Sequence, residues 1–183
     1  MKIYLAGPDV FLPDAVGIGQ RKCDICRHHG VTGLYPLDNA VDLAAPGASM
    51  QIFRGNEAMM NASDAIIANL TPFRGPGADP GTVYELGYMA GQGKLCLSYC
   101  NDPASYAERV ARSTKVTRGA DNRLVDADGL TVEDFGLPDN LMMIHALDLH
   151  GSPLVMPHAK PVDIWRDLSA FETCVRLAAE KLG

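Results

Sequence analysis

The sequence predicts an α/β fold, a parallel sheet covered by helices on both faces. Apolar runs at residues 3–6, 65–70 and 94–99 show no in–out alternation, the pattern of strands buried on both sides. Segments with helical spacing separate these runs, which implies crossover connections and parallel pairing. Glycine or proline follows the strands at Gly7-Pro8, Pro36 and Pro72, where the chain has to turn.

Each element follows in order. Residues 3–6 form the first strand, closed by Gly7-Pro8. After Pro13, residues 14–29 have helical spacing and stop at Gly30. Val31 to Tyr35 is the second strand, and residues 38–48 are a polar loop containing Pro46 and Gly47. Ile52, Phe53, Met59 and Met60 place a helix over 49–62. The third strand, 65–70, opens into a Gly- and Pro-rich loop, and Thr82 to Gln92 is the next helix. Lys94 to Tyr99 is the fourth strand. Pro103 to Arg112 is helical, with the proline in its first turn. Residues 113–134 are a polar surface excursion. Ile164, Leu168, Phe171, Val175, Ala178 and Leu182 fall at steps of four and three, one face of a final helix. There is no repeat and no dividing linker, so residues 1–183 are expected to form a single domain.

Composition excludes several function classes. A chain of 183 residues can remove roughly 70% of its unfolded surface from water. With 47% hydrophobic and 21% charged residues it lies near the globular average. No apolar run approaches the ~18 residues that cross a membrane, and the N-terminal apolar stretch is too short for a secretory signal. A net charge of −6 without a basic stripe argues against a nucleic-acid polymer or an anionic membrane as partner. Five cysteines, an odd number, do not make a disulfide framework and point to a reducing cytoplasm. Cys23-x-x-Cys26 lacks the second pair that a structural zinc site requires, so no metal is expected there.

In open parallel sheets, ligands bind outside the carboxyl ends of the strands. The loops at 7–13, 36–48 and 70–82 leave those ends. On the third, Asp79 and Glu85 stand six positions apart. Glu85 is expected in the first turn of its helix, where the dipole holds a carboxylate ionised. An ionised carboxylate can attack an anomeric carbon, while Asp79 on the loop can protonate or hydrogen-bond a leaving group. Gly75, Gly77 and Gly81 would let the backbone approach a ligand closely. The residues alone fit equally well a dipole-complementing glutamate and a turn-forming aspartate. Phe11 and Phe73 offer flat faces for a base, or ordinary packing. Met50, Met59 and Met60 read as core filler. His145, His150 and His158 have no assigned function.

Several segments are more specific together than any two acids. They are Ile3 to Phe11 (IYLAGPDVF), Pro36-Leu37-Asp38-Asn39, Asn56 through Asp64 to Gly75, Asp79 to Tyr88 (DPGTVYELGY) and Phe135 to Met142 (FGLPDNLM). In that order they resemble the nucleoside 2-deoxyribosyltransferase family, in particular its kinetoplastid-type members. The resemblance implies a flavodoxin-like doubly wound sheet and exchange of the base of a 2′-deoxyribonucleoside for a free nucleobase. No cofactor is implied. Glu85 matches the family's nucleophile, Tyr4 the tyrosine that hydrogen-bonds it, and Asp79 the acid that assists proton transfer at the base. Gly7, Pro8, Asp9, Phe11, Asp38, Asn56, Asn69 and Gly81 match positions around the substrate. Asn140 matches an asparagine that completes the sugar site of a neighbouring subunit, implying a homo-oligomer.

Three positions depart from the pattern. Asn56 stands where lactobacillus-type members carry aspartate and kinetoplastid-type members asparagine. Ala40 replaces a longer polar side chain, and Asn69 stands where the most similar members have aspartate. These differences bear on base preference. Two enzymatic alternatives share the scaffold: hydrolysis of deoxynucleosides, and base removal from nucleoside 5′-monophosphates, for which Arg74 is the nearby cation. A nonenzymatic nucleotide-sensing module would keep the pocket without needing Glu85.

Overall fold

The first four strands are β1 (Lys2–Ala6), β2 (Thr32–Leu34), β3 (Ala65–Asn69) and β4 (Leu95–Tyr99). They form one parallel sheet in the order β2-β1-β3-β4. The computed structural model describes residues 1–38 and 41–183. Asn39 and Ala40, and with them the expectations attached to those positions, lie outside the described residues. All five residues of β3 are buried, the arrangement its unbroken apolar run requires.

Beyond β4, residues 151–155 run parallel to its outer edge through bridges at Cys96–Gly151 and Tyr99–Val155. The Cys100 N–H donates to the Val155 carbonyl at 3.0 Å, and the Val155 N–H to the Ser98 carbonyl at 3.0 Å. A Cβ at Gly151 would run into the Cys96 carbonyl, so only glycine permits this approach. With that fifth segment the order becomes 2-1-3-4-5, that of the flavodoxin-like doubly wound fold, whose crevice opens between β1 and β3.

Alternation along the strands divides the core. Ile3, Leu5, Ala65 and Ile67 face α1 (Ala15–His28) and α6 (Ser169–Leu182), where Cys26, Phe171, Cys174 and Val175 meet them. Tyr4, Ala6, Ile66 and Ala68 point the other way, toward α2 (Ala48–Ala62), α3 (Pro80–Gly91) and α5 (Leu141–His150). The period of two therefore decides which side chains reach the face that carries Glu85.

Four details differ from the sequence reading. The helix placed at Pro103 is α4 (Tyr106–Ser113), which begins once Ser105 and Glu108 can form a reciprocal capping box. The final helix starts at Ser169; Ile164 lies before it, in a turn whose carbonyl accepts the Asn101 side-chain N–H at 2.8 Å. The polar excursion contains a short hairpin, β5 (Thr117–Arg118) with β6 (Leu124–Val125). Helix α5 was not anticipated, because Leu141–His150 is apolar nearly all round and shows no stripe. No helix among the described residues is long and apolar enough to cross a membrane.

Candidate active site

Glu85 and Tyr4 form the centre of the site. Tyr4 lies in the middle of β1, fully buried, and its hydroxyl donates to Glu85 Oε1 at 2.6 Å. The Asn56 side chain, on α2, also hydrogen-bonds the carboxylate. Asp79 is the N-cap of α3, where its Oδ2 accepts the Thr82 N–H at 2.9 Å and the Thr82 hydroxyl at 3.0 Å. Proline at the next position suits the helix start, since its missing N–H is not needed there.

This start corrects the expectation for Glu85. Helix α3 begins at Pro80, so Glu85 occupies the second turn, beyond the reach of most of the dipole. Burial instead pushes its pKa up to about 7; the Tyr4 and Asn56 hydrogen bonds pull it down, and the Asp79 charge adds to the rise. Burial also drives the Tyr4 phenol far above its ordinary value, with the neighbouring carboxylate adding to it. Tyr4 is thus a permanent donor and Glu85 a carboxyl poised near neutrality.

Two adjoining hollows meet at Glu85 and share Asn56 and Gly81. One, of about 390 Å³, is walled by Gly7, Val10, Phe11, Pro36, Leu37, Leu43, Ile52, Asp79 and Thr82. The other, of about 280 Å³, is bounded by Phe53, Met60 and Tyr84. An apolar cleft with a few convergent polar groups at its base suits a flat heterocycle carrying a sugar. Phe11, 58% exposed, stacks on Phe73 with centroids 5.3 Å apart and planes 14° from parallel. The Arg74 guanidinium lies 4.6 Å from the Phe73 centroid.

Of the residues singled out from sequence, Gly7, Phe11, Asn56, Asp79, Gly81 and Glu85 line this cleft, with Tyr4 directly beneath. Asp9 and Asn69 do not reach it. Asp9 is fully buried and accepts from Lys22 Nζ at 2.6 Å, the Tyr35 hydroxyl at 3.3 Å and Asn69 Nδ2 at 3.0 Å. Asn69 Oδ1 in turn accepts the Thr71 N–H at 3.0 Å. Both side chains are spent on holding the loops from below. A Cβ on Gly7 would collide with the Asp9 carboxylate and Asn69, which explains the glycine.

Pro8 opens the short 3₁₀ turn Pro8–Phe11 and is buried. Asp38 is exposed and accepts the Tyr35 N–H at 3.1 Å, tightening the turn after β2. Asn140 caps α5: its Oδ1 accepts the Met142 N–H at 3.1 Å and its Nδ2 donates to Glu133 at 3.0 Å. Asn140 is not among the side chains around Glu85 in its own chain.

Sequence reasoning missed Leu37, Leu43 and Ile52 as cleft walls, although Ile52 sits one helical turn from Asn56. It also missed Lys22, buried against Asp9 and the rings of Tyr35, Tyr99 and Phe171 at 5.2–6.0 Å. Nothing local marks a lysine as buried, because lysine is nearly always exposed.

Known proteins resemble this chain in sequence and in fold. A 2-deoxyribosyltransferase from Leishmania mexicana superimposes with a TM-score of 0.68 at 33% identity, covering 98% of this chain and 97% of that one. A conserved protein from Enterococcus faecalis shares the fold, with a TM-score of 0.57 at 20% identity over 97% of this chain and 98% of its own. An uncharacterized Schizosaccharomyces pombe protein is 38% identical over 155 residues, 76% of this chain and 74% of its own length. The family model described as nucleoside 2-deoxyribosyltransferase matches residues 3–142, a span that holds Tyr4, Asn56, Asp79, Glu85 and Asn140. By that match, and by likeness to the Leishmania enzyme over nearly its whole length, the chain belongs to the nucleoside 2-deoxyribosyltransferase family.

Proposed function

We propose that this protein exchanges the base of 2′-deoxyribonucleosides for a free nucleobase, as a cytoplasmic enzyme of nucleoside salvage. The observation that carries the reading is the Glu85 carboxylate, hydrogen-bonded by Tyr4 and Asn56 at the junction of the two hollows. Glu85 attacks C1′; a C1′–O bond to the carboxylate forms as the C1′–N bond breaks. The electron pair goes to the departing base, whose ring nitrogen takes a proton through Asp79. A second base then attacks C1′ from the face the first one left and gives its ring-nitrogen proton back to Asp79, as the C1′–O bond breaks and Glu85 returns to a carboxylate with configuration retained. Phe11 forms one wall for the base by stacking.

The homo-oligomer belongs to the same reading. Helices α3 and α5 pack on one another, yet each also carries large apolar side chains outward: Tyr84 is 50% exposed, Met142 72% and Leu149 81%. Helices apolar on both sides are usually buried on both, and Asn140 caps the start of α5. The free state of all five cysteines agrees with a reducing compartment.

The test is incubation with deoxyinosine and free adenine or cytosine, with products separated by liquid chromatography, beside Glu85→Ala. A new deoxynucleoside, absent with the variant, supports transfer. Free hypoxanthine alone means hydrolysis on the same scaffold. No product from any deoxynucleoside overturns the transfer reading, and nucleoside 5′-monophosphates are then the substrates to test.

A further inference from the structure

Behind the cleft, one buried ion pair ties the Asp79 loop to the start of α5. Arg109 and Asp139 side chains are each 3% exposed, and Arg109 Nη2 donates to Asp139 Oδ2 at 2.9 Å. Such a pair contributes little net stability, because desolvation offsets most of its attraction. Its remaining bonds show what it organises. Arg109 Nε donates to the Pro76 carbonyl at 2.8 Å, and Nη1 reaches the Ala104 carbonyl at 3.4 Å. Asp139 Oδ1 accepts the Asn140 N–H at 2.8 Å, and the same carboxylate accepts the Ala78 N–H.

Pro76 and Ala78 lie within three residues of Asp79, in a stretch with no helix or strand of its own. Its internal backbone bond, Phe73 N–H to Gly77 carbonyl at 3.0 Å, closes the loop but does not fix it against the sheet. The Arg109–Asp139 pair does, from α4 on one side and the α5 cap on the other. We propose that Asp139, held by Arg109, is a positioning residue that sets the Asp79 carboxylate at the mouth of the cleft and, through the Asn140 amide, sets the α5 cap. The proposal rests on the proton-transfer role given to Asp79 above. Misplacing a reacting group by about 1 Å can cost on the order of 100-fold in rate.

The protein is tested as Arg109→Lys and Asp139→Asn, with Arg112→Gln as control: Arg112, on α4, is exposed, and its buried partner Asp102 keeps a second cation in Lys160. Asp139→Asn keeps an acceptor oxygen and carries the test should Arg109→Lys fail to fold. The expected result is a kcat lower by about 10- to 100-fold with KM for the deoxynucleoside little changed, and an unaltered control. In an Asp79→Asn background the same substitutions should add almost nothing, because both act through one group. Losses that multiply in the double variants, or an unchanged kcat in folded variants, overturn the proposal. Amide hydrogen exchange gives a readout independent of turnover: exchange at residues 74–79 should quicken in the variants while that of β3 stays as it was. Should the wild type turn over no substrate, the functional reading fails separately. The exchange result then decides the positioning, and an unchanged loop would end it.

Discussion

The Tyr4 hydroxyl meets Glu85 Oε1 at 2.6 Å across 81 residues of chain, joining the middle of β1 to the second turn of α3. The bond opposes burial, which is the larger influence on Glu85, so the carboxyl titrates at about 7 rather than near its ordinary 4.5. The proposed nucleophile is therefore ionised only in part at neutral pH.

Activity should follow that ionisation. kcat/KM is expected to fall tenfold per pH unit well below about 7. Tyr4→Phe removes a hydrogen bond to a charged group, costing about 1.5–3 kcal/mol, or roughly 10- to 150-fold in rate. It should also shift the midpoint to higher pH. A pH–rate profile of both proteins checks this; an unmoved midpoint in Tyr4→Phe would separate the two groups functionally.

Stability should run the opposite way. With its folded pKa raised above the unfolded value, Glu85 binds its proton more tightly in the native state. Its contribution is fully present below about 4.5 and is lost as pH rises through about 7. Glu85→Gln, which cannot ionise, should therefore stabilise the protein at pH 8 by about 3 kcal/mol and much less at pH 5. Thermal unfolding at the two pH values measures the difference.

Asp79 has a structural role and a proposed chemical one, which two variants separate. Asp79→Ala removes the α3 cap and should cost about 1 kcal/mol. Asp79→Asn retains an acceptor for the Thr82 N–H and should be nearly neutral in denaturant unfolding. Both should lose on the order of 100- to 10,000-fold in transfer rate, measured with the same chromatographic assay.

Lys22→Met leaves the fully buried Asp9 carboxylate without its 2.6 Å partner. Removing one member of a buried pair costs about 3–5 kcal/mol. The double variant Lys22→Met/Asp9→Asn should recover part of that loss, since no charge is then stranded. Urea unfolding of the set gives the coupling energy; equal midpoints for Lys22→Met and wild type would refute the argument.

Leu149→Glu places a charge on the outward face of α5, where the side chain is 81% exposed. The isolated chain should tolerate it, because no core contact is lost. Light scattering should show a smaller assembly than wild type if this face joins subunits, and an unchanged mass would exclude it.

Much of this was legible in the sequence for a physical reason. Residues 3–6 and 65–70 are apolar without alternation because both faces of the sheet are covered, and that pattern is local. Glu85, Asp79 and Tyr4 were legible through ordered motifs. Helix α5 was not, because its apolar residues lie on every side and leave no period to read.

Sequence alone determined the alternation of β1 to β4 with α1 to α4, the final helix, the loops that gather at the carboxyl ends, and the family. Those features follow from local periodicity and from residue types at fixed spacings. Only the tertiary structure decided which side chains those loops present. Asp9 and Asn69 turned inward, because Lys22 and the Thr71 amide supply buried partners that no neighbouring residue announces. Glu85 was placed a turn deeper than its spacing suggested, where desolvation outweighs the helix dipole. Burial and long-range pairing are properties of the packed chain, and they set the charge on the carboxyl group that the proposed chemistry depends on.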